Sequence, residues 1–336
     1  MNLSGKRVLV TGGAGFIGSE LVRQLVASAA AVVVVDNLAN GRWQNLTGVP
    51  SDSVRLVEAD IRDAVHMRDF LKSTDIIFHL ACLGVRHSIH SPRENHEVNA
   101  VGTLNTLFAA VDASVQRFVY VSSSEVYGTA QWSPMTEQHP TFPKTMYGAS
   151  KLAGECFTRS FHDTYGFPAV IVRPFNTYGP CCHHEGDSGE VIPKFLLRSM
   201  AAMPMVIFGD GTQTRDFTYV SDTAQGIIAA GMSEAALGKT INLGSGREHS
   251  VNELAREVGM IVGKAEPAIV HLEPRPGDVM RLCADTTLAR DLCGYEAKIS
   301  LREGLAKLKE WYQVQGTPPE VLLRNETVRN WEGKGA

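Results

Sequence analysis

A glycine-rich turn near the start of the chain constrains its fold more than any other feature. The run TGGAGFIG, residues Thr11–Gly18, follows an apolar stretch, Arg7–Val10, and precedes a predicted helix, Ser19–Ala27. Because glycine has no Cβ, such a turn can tighten and let the backbone approach a pyrophosphate, whose charge then lies at a helix N-terminus. A turn that merely lets a helix pack on a strand does not need both GxxGxxG and GxGxxG spacing. The run therefore predicts a dinucleotide-binding βαβ unit.

Short apolar runs recur between amphipathic stretches, which is typical of βα units on a parallel sheet. The predicted strands are Arg7–Val10, Ala31–Val35, Val54–Val57, Ile76–Leu80, Phe118–Val121 and Ala169–Val172. Beyond residue 180, short strands such as Met205–Phe208 and Phe217–Val220 alternate with helices and turns, which indicates a smaller second lobe. Thr240–Leu243 is expected to return to the large sheet.

The predicted fold class is therefore α/β, a Rossmann-type doubly wound parallel sheet with a smaller mixed α/β C-terminal substrate lobe. We expect the cofactor domain over residues 1–180, the substrate lobe over 181–317, and a loosely held polar tail over 318–336.

Composition argues against several partners. The formal net charge of -4 provides no broad positive field for nucleic acid or an anionic membrane. No apolar run approaches the roughly 20 residues that cross a bilayer, and no signal-peptide core precedes the first strand, so we expect a cytoplasmic protein. The six cysteines lack CxxC spacing and are expected to be reduced. In the run Cys181–Glu185 (CCHHE), adjacent residues rarely converge on one ion, so we favour a substrate-covering loop and predict no metal.

Asp36 at the end of the second strand indicates which dinucleotide binds. A carboxylate there can accept hydrogen bonds from both ribose hydroxyls and repels a 2′-phosphate, so NAD is the expected cofactor. Arg42 keeps NADP as the alternative, because arginine is the usual partner of that phosphate. Asp60, after the third strand, is expected at the adenine edge or else is an ordinary strand-end carboxylate.

A serine-rich segment and a Tyr/Lys pair indicate where the chemistry occurs. Ser122–Gly128 (SSSEVYG) follows the fifth strand, and Tyr147 and Lys151 lie four residues apart, on one face of a helix. A phenol with a pKa of about 10 is a poor base, but a neighbouring ammonium and a positive nicotinamide favour its phenolate. We predict that Ser123 holds a substrate hydroxyl while Tyr147 takes its proton and hydride passes to the nicotinamide. The alternative is a chance YxxxK pair on a solvated helix face.

Together these motifs resemble the nucleotide-sugar epimerase/dehydratase branch of the extended short-chain dehydrogenases, over roughly residues 5–312. The resemblance is carried by Thr11–Gly18, Asp36, His79–Ala81, Asn99, Ser122–Gly128, Tyr147, Lys151 and Arg173–Gly179. It implies a tightly held NAD, a nucleotide-sugar substrate, and a homodimer built from the helices Asn95–Ala113 and Tyr147–Tyr165. The expected cofactor contacts are Gly12, Gly15, Phe16, Ile17, Gly18, Asp36, Asn37, Asn40, Gly41, Asp60, Ile61, Leu80, Ala81, Asn99, Ser122, Tyr147, Lys151 and Pro174.

The resemblance also implies substrate contacts in the second half of the chain. These are Asn176, Arg215, Arg275 and Asp278. Two arginines offer forked donors to a pyrophosphate and an aspartate can accept from a ribose hydroxyl, although a single arginine is as well explained by a surface salt bridge. Arg86 or His87, after the fourth strand, could contact the C6 group of the sugar, or could belong to a solvated loop.

The identity of the reaction depends on the fate of the ketone formed when the sugar C4 hydroxyl is oxidised. Ser123, Tyr147 and Lys151 suffice for C4 epimerisation, in which the ketone turns and is reduced from its other face. Glu125 matches the C5 base of the family's dehydratases, but Ser124 stands where many of them carry an acidic aspartate. Uronate decarboxylases carry an arginine where this chain has Cys181.

We therefore rank a 4-epimerase acting on a UDP- or dTDP-hexose first, a 4,6-dehydratase second and a uronate decarboxylase third. The candidate catalytic residues are Ser123, Ser124, Glu125, Tyr147 and Lys151. Two other classes stay open: an NAD-bound sensor or scaffold, and an oxidoreductase that releases NADH. A sensor has no need for an activated phenol, which argues against the first.

Overall fold

A seven-stranded parallel sheet forms the centre of the large lobe in the computed structural model, which describes residues 2–275 and 279–331. Its strands are β1 (Arg7–Thr11), β2 (Ala31–Asp36), β3 (Val54–Glu58), β4 (Ile76–His79), β5 (Arg117–Val121), β6 (Ala169–Pro174) and β7 (Thr240–Leu243). Their spatial order is β7-β6-β5-β4-β1-β2-β3. All six predicted strands and the returning seventh are confirmed. Strand order reverses between β1 and β4, and open α/β sheets bind ligands at the carboxyl ends beside such a point.

Helices cover both faces of the sheet, which explains why its central strands are mostly apolar, whereas the edge strand β3 (VRLVE) is partly exposed. The helices are α1 (Phe16–Ala27), α2 (Ala64–Leu71), α3 (Val85–His90), α4 (Pro92–His96), α5 (Thr103–Asp112), α6 (Met146–Tyr165), α7 (Val191–Met200), α8 (Val220–Met232), α9 (Val251–Val262), α10 (Thr287–Cys293), α11 (Leu301–Val314) and α12 (Pro319–Leu322). A π-helical stretch, Glu97–Gly102, joins α4 to α5, and 3-10 turns span Trp43–Leu46, Ser124–Val126 and Leu323–Asn325. No helix in the described part of the chain is long and apolar enough to span a membrane.

The two helical layers bury alternate side chains of each strand. Val8 and Val10 of β1 pack in the core beneath α1, α8 and α10, whereas Leu9 packs with α2, α5 and α6. Full burial of such side chains contributes about 1.5–3 kcal/mol each, so this double-sided core fixes the sheet.

The smaller lobe forms around α7, α9 and α11, whose core includes Phe195, Leu254 and Leu305. Its strands pair as Thr214–Asp216 with Glu248–Ser250 and Arg281–Leu282, Met205–Phe208 with Ile269–Leu272, and Thr177–Tyr178 with Thr218–Tyr219. A capping box between Ser250 and Glu253 starts α9.

The observed bounds of one helix and one strand differ from the predicted ones. Helix α1 begins at Phe16, three residues before the predicted start, because Gly15 takes the extended N-cap conformation and the end of the glycine run forms the first helical turn. The predicted strand Phe217–Val220 shortens to Thr218–Tyr219, since Val220 already begins α8.

The prediction of a loosely held tail is wrong for residues 318–331, which pack on the smaller lobe. Leu323 is buried in that lobe's core. Arg198 Nε donates to both Glu326 carboxylate oxygens, at 2.9 and 3.0 Å, and Lys194 Nζ donates to the Thr327 carbonyl at 2.8 Å. A polar segment docks when distant residues pair its polar groups, and composition does not reveal those partners.

Candidate active site

A cavity of about 390 Å³ lies along the carboxyl ends of the central strands. Among the predicted cofactor contacts, it is lined by Gly12, Gly15, Phe16, Ile17, Gly18, Asp36, Asn37, Asn40, Gly41, Ile61, Leu80, Ala81, Ser122, Tyr147, Lys151 and Pro174. The fold thus brings together the glycine turn, the strand ends and the Tyr/Lys helix. We refer to this space as the cofactor cavity.

The glycine turn leaves no room for side chains where backbone segments approach each other. Gly12 has φ +71°, and a Cβ there would lie 2.7 Å from the backbone nitrogen of Ala81. Helix α1 begins at Phe16 with no side chain capping its first turn. The turn and the helix N-terminus therefore form a cradle of backbone N–H groups that fits a pyrophosphate.

The Asp36 carboxylate is buried at the opposite end of this cradle. It accepts hydrogen bonds from the backbone nitrogens of Ala14 and Leu38, both at 2.9 Å. Burial raises the pKa of Asp36, while these two backbone hydrogen bonds oppose the rise. Two carboxylate oxygens have about four acceptor positions, so ribose hydroxyls can still bind. Arg42 instead forms a 2.6 Å ion pair with Glu185, which directs its guanidinium to the neighbouring loop.

Two predicted cofactor contacts lie outside the lining of this cavity. Asp60 forms a 2.7 Å ion pair with Arg62, whose hydrogen bond lowers the pKa of Asp60 to about 2. Asn99 is buried in the π-helical stretch, where its side chain accepts from the Leu83 nitrogen at 2.8 Å and donates to the Leu83 carbonyl at 2.9 Å. Asn99 therefore orders the loop that borders the cavity, and the expectation that Asp60 and Asn99 contact the cofactor directly stays a prediction.

The five candidate catalytic residues all line the cofactor cavity: Ser123, Ser124, Glu125, Tyr147 and Lys151. Lys151 is buried, and its Nζ donates to the Val121 carbonyl at 2.6 Å, which holds the ammonium below the end of β5. Burial lowers the pKa of Lys151. Burial also raises the pKa of Tyr147 well above 10, nearby Cys82, Glu125 and Glu190 add to the rise, and a hydrogen bond with Ser123 opposes it.

A buried ion pair supports the serine segment from behind. Arg173 donates to both oxygens of Glu155, at 2.8 and 2.6 Å, and the Ser122 hydroxyl donates to Glu155 at 2.6 Å. The Arg173 guanidinium also lies 4.6 Å from the centre of the Tyr127 ring. Because burial and pairing leave little freedom, this network fixes the end of β5 on which Ser123 sits.

A second cavity of about 550 Å³ adjoins the first and extends into the smaller lobe. We call it the substrate cavity. Four of the five predicted substrate contacts line it, namely Arg86, Asn176, Arg215 and Arg275. The fifth, Asp278, lies outside the described residues. Arg215 donates to the carbonyls of Thr214 and Val279, at 2.8 and 2.6 Å, and the Arg275 guanidinium lies 4.9 Å from the Trp331 ring centre.

Several residues that line the two cavities were not among the predicted contacts. The loop Cys82–Val85 borders the cofactor cavity, and its position directly after β4 was a usable signal. His183 and Glu190 line both cavities, whereas Glu326, Val328, Asn330 and Trp331 line the substrate cavity. No local pattern marks the last four, because they reach the site only through long-range packing.

The run Cys181–Glu185 does not gather into one site. Cys182 is buried in the core of the smaller lobe, the His184 ring meets Tyr312 edge-on, and Glu185 pairs with Arg42. Throughout the described ranges, no group of three metal-ligating side chains converges. The ion pair with Arg42 instead ties this run to the loop after β2.

Comparison with known proteins identifies the family. A family model described as GDP-mannose 4,6 dehydratase matches residues 9–308. The UDP-glucose 4-epimerase of Mycolicibacterium smegmatis is 38% identical over 312 residues, which are 91% of this chain and 98% of that protein. This chain belongs to the nucleotide-sugar epimerase/dehydratase branch of the extended short-chain dehydrogenases. It is therefore a member of an enzyme family.

Relatives in this family catalyse different reactions at similar identity. The dTDP-glucose 4,6-dehydratase of Streptomyces niveus is 33% identical, covering 91% of this chain and 93% of that protein. The UDP-N-acetyl-alpha-D-glucosaminuronate decarboxylase of Bacillus cytotoxicus is also 33% identical, covering 92% and 98%. Overall similarity therefore does not select the reaction.

Solved structures in the family have the same fold. An epimerase from Methanothermobacter thermautotrophicus superimposes with a TM-score of 0.88 at 36% identity, covering 95% of each chain. A dTDP-glucose 4,6-dehydratase from Streptomyces venezuelae, solved with NAD bound, gives a TM-score of 0.85 at 35% identity, covering 92% of this chain and 97% of that one. The Rossmann-type fold of the large lobe is thus confirmed.

Proposed function

We propose that this enzyme is an NAD-dependent nucleotide-sugar 4-epimerase acting on a UDP- or dTDP-linked hexose. The observation that carries the proposal is that Ser123, Tyr147 and Lys151 line the cofactor cavity where it adjoins the substrate cavity. The similarity to the mycobacterial UDP-glucose 4-epimerase supports it. Ser124, which cannot serve as the acid for a leaving hydroxyl in the way an aspartate does, favours epimerisation over dehydration.

The cofactor cavity fits NAD by its donors and its shape. The backbone cradle at Gly12 and Gly15 would hold the pyrophosphate, and Asp36 would accept from the ribose hydroxyls. When bound, the nicotinamide supplies the acceptor, and later the donor, of the hydride that leaves the sugar C4. The pairing of Arg42 with Glu185 supports NAD over NADP, because that guanidinium is already engaged by a carboxylate.

Tyr147 would take the proton of the C4 hydroxyl as it is oxidised and return it after reduction. Burial raises the pKa of Tyr147, so its phenolate needs positive charge nearby. Lys151, one turn further along α6, supplies an ammonium held in place by the Val121 carbonyl. The Ser123 hydroxyl, which opposes the rise in the Tyr147 pKa, can orient the same sugar oxygen.

Dehydration is the second candidate, because one observation favours it. Glu125 lines both cavities, so its carboxylate lies where a C5 proton of a 4-keto sugar would come within reach. In an epimerase the same residue would instead accept a hydrogen bond from a sugar hydroxyl.

We also propose a homodimer. Val101, Phe108 and Val111 expose 43%, 51% and 38% of their surfaces around α5, the helix that the family resemblance assigns to the dimer interface. Light scattering at micromolar concentration tests this. A dimer is expected for the wild type, and a monomeric wild type would contradict it.

The products of a substrate panel test the proposed reaction. The NAD-loaded protein is incubated with UDP-glucose, UDP-N-acetylglucosamine, dTDP-glucose and UDP-glucuronate, and products are identified by NMR. We expect a C4 epimer from at least one hexose without growth of NADH absorbance. A product lighter by one water would establish the dehydratase instead, and accumulation of NADH would establish a net oxidoreductase.

A further inference from the structure

The junction of the two cavities is rich in negative charge. Eight residues line both cavities, and Glu125 and Glu190 are the two carboxylates among them. His183 shares the junction, and burial lowers its pKa, so it is neutral at physiological pH. The reacting sugar must lie at this junction, because its C4 has to reach Tyr147 while its phosphates extend into the substrate cavity.

The fold places the Glu190 carboxylate at the junction. Glu190 is the N-cap residue of α7, but its side chain makes no capping hydrogen bond. Its backbone nitrogen donates to the His183 carbonyl at 2.9 Å, which anchors the residue beside the cavities. Glu190 lines both cavities, so it borders the space where the sugar would lie. Its negative charge contributes to the raised pKa of Tyr147.

Positive side chains line the substrate cavity beyond the junction. Arg86, Lys144 and Lys194 line that cavity, as do Arg198, Arg215 and Arg275, which lie where a pyrophosphate is expected. The positive charge of Arg86 opposes the rise in the pKa of Glu190. None of the described residues that line both cavities is positively charged, so the two carboxylates set the charge of the junction itself.

We propose that Glu190 selects sugars with an uncharged C6 group and excludes uronates by repelling a C6 carboxylate. This inference rests on the proposed function, since it assumes that a nucleotide sugar occupies the two cavities. It narrows the substrate class to neutral hexoses, including their N-acetyl derivatives.

Binding measurements test the proposal without turnover. The NAD-loaded Tyr147→Phe protein is titrated calorimetrically with UDP-glucose, UDP-glucuronate and UDP, or with the dTDP series if dTDP binds more tightly than UDP. UDP-glucose is expected to bind about tenfold or more tightly than UDP-glucuronate, because like charges brought together at a binding site are strongly unfavourable. Equal affinity for the two sugars would overturn the proposal.

Substitution of Glu190 tests whether this residue causes the preference for UDP-glucose over UDP-glucuronate. In the Tyr147→Phe protein, Glu190→Gln should lower the ratio of UDP-glucose affinity to UDP-glucuronate affinity at least about fivefold, mainly by tighter binding of the uronate. Glu190→Asp, which keeps the charge, should preserve most of the ratio. Glu185→Gln is the matched control, because this carboxylate pairs with Arg42 and lies outside the lining of both cavities. An unchanged ratio in Glu190→Gln, with unfolding midpoints like the parent's, would refute the assignment.

The dependence of the ratio on pH gives an independent test. The protein around the cavities desolvates Glu190 and raises its pKa to about 7, so its carboxylate gains charge as the pH rises through neutrality. The other titratable or charged groups that line the two cavities are Asp36, Cys82, Arg86, His87, Glu125, Lys144, Tyr147, Lys151, Tyr178, His183, Lys194, Arg198, Arg215, Arg275 and Glu326. Selectivity for UDP-glucose should increase severalfold from pH 6 to pH 7.5 and should lose this increase in Glu190→Gln. A ratio that does not change with pH in the parent protein would contradict the proposal.

The two proposals fail in distinguishable ways. If no hexose is epimerised, the binding ratio and its dependence on Glu190 can still be measured. If Glu190→Gln leaves the ratio unchanged, formation of a C4 epimer by the unmodified enzyme still stands.

Discussion

The cofactor cavity and the substrate cavity adjoin, but the chain builds them differently. The first is formed largely by backbone and strand ends, with Gly12 and Asp36 contributed by a single βαβ unit. The second is lined by residues as far apart in the sequence as Asn40 and Trp331. A cavity whose lining consists largely of recognisable local motifs can therefore be predicted from sequence, whereas one closed by unmarked residues through long-range packing emerges only from the folded chain.

The largest expected effect is at Tyr147, which lines the cofactor cavity. Tyr147→Phe should lower kcat by about 10²–10⁴-fold, because general acid–base catalysis contributes that much. The affinity for NAD should change less than about twofold, since the glycine cradle is untouched. Tyr165→Phe, on the same helix but 67% exposed, is the control and should keep full activity. Steady-state kinetics and NAD titration measure both. Full turnover by Tyr147→Phe would remove this residue from its assigned role.

Breaking the buried ion pair beside the cofactor cavity should lower the free energy of unfolding more than breaking the one beside the substrate cavity. Glu155→Gln leaves Arg173 buried without its charge partner, and the free energy of unfolding should fall by about 3–5 kcal/mol. Glu326→Gln likewise removes the charge partner of Arg198, but Glu155 also accepts a hydrogen bond from Ser122, so the Glu326 change should cost less, about 1–3 kcal/mol. Urea denaturation measures both. A larger loss for Glu326→Gln would reverse the comparison.

The sequence predicted most of the large lobe for a physical reason. Its central strands are buried on both faces and appear as apolar runs, and the motifs at Thr11–Gly18 and Tyr147/Lys151 are each local in the sequence. Asp60 and Asn99 lie outside the cavity lining, and each hydrogen-bonds to another protein group: Asp60 to Arg62, and Asn99 to Leu83. Sequence position alone does not distinguish a residue that touches a ligand from one that orders the loop beside it.

The smaller lobe was predicted less completely because its contacts span long distances along the chain. Only half of the residues in the segment 318–331 are apolar, and Lys194 and Arg198 pair with its carbonyl and carboxylate groups. Glu190 escaped notice for a related reason. No motif marks it, and it reaches the junction only because α7 begins beside the strand ends.

Substituting the glycine turn should weaken the cofactor cavity specifically. Gly12→Ala introduces a Cβ within 2.7 Å of the Ala81 nitrogen at a residue with φ +71°, so NAD affinity should fall by more than about tenfold. Gly48→Ala is the matched control, because Gly48 also has positive φ but has open space around its Cβ position. Both variants should lose about 1 kcal/mol of stability from backbone strain. Equal NAD affinity in the two variants would argue against a pyrophosphate-binding cradle at the glycine turn.

Removing the aromatic ring of Trp331 should weaken the substrate cavity alone. Trp331→Ala deletes the ring that lies against Arg275 and Phe208, and UDP affinity should fall about three- to tenfold, as expected for loss of a cation–π contact that orders an arginine. NAD affinity should stay constant. Calorimetric titration with each nucleotide checks this, and a parallel loss of NAD affinity would show that the two cavities are not separable.

The proposed mechanism requires that one enclosed junction removes hydrogen from the sugar C4 and returns it to C4. Its most direct test is incubation of UDP-glucose deuterated at C4, or of the hexose that the panel identifies, followed by NMR of the epimer. We predict that deuterium stays at C4, with no exchange at C5 when unlabelled substrate reacts in deuterated water. Solvent deuterium at C5, or washout of the label from C4, would contradict the mechanism.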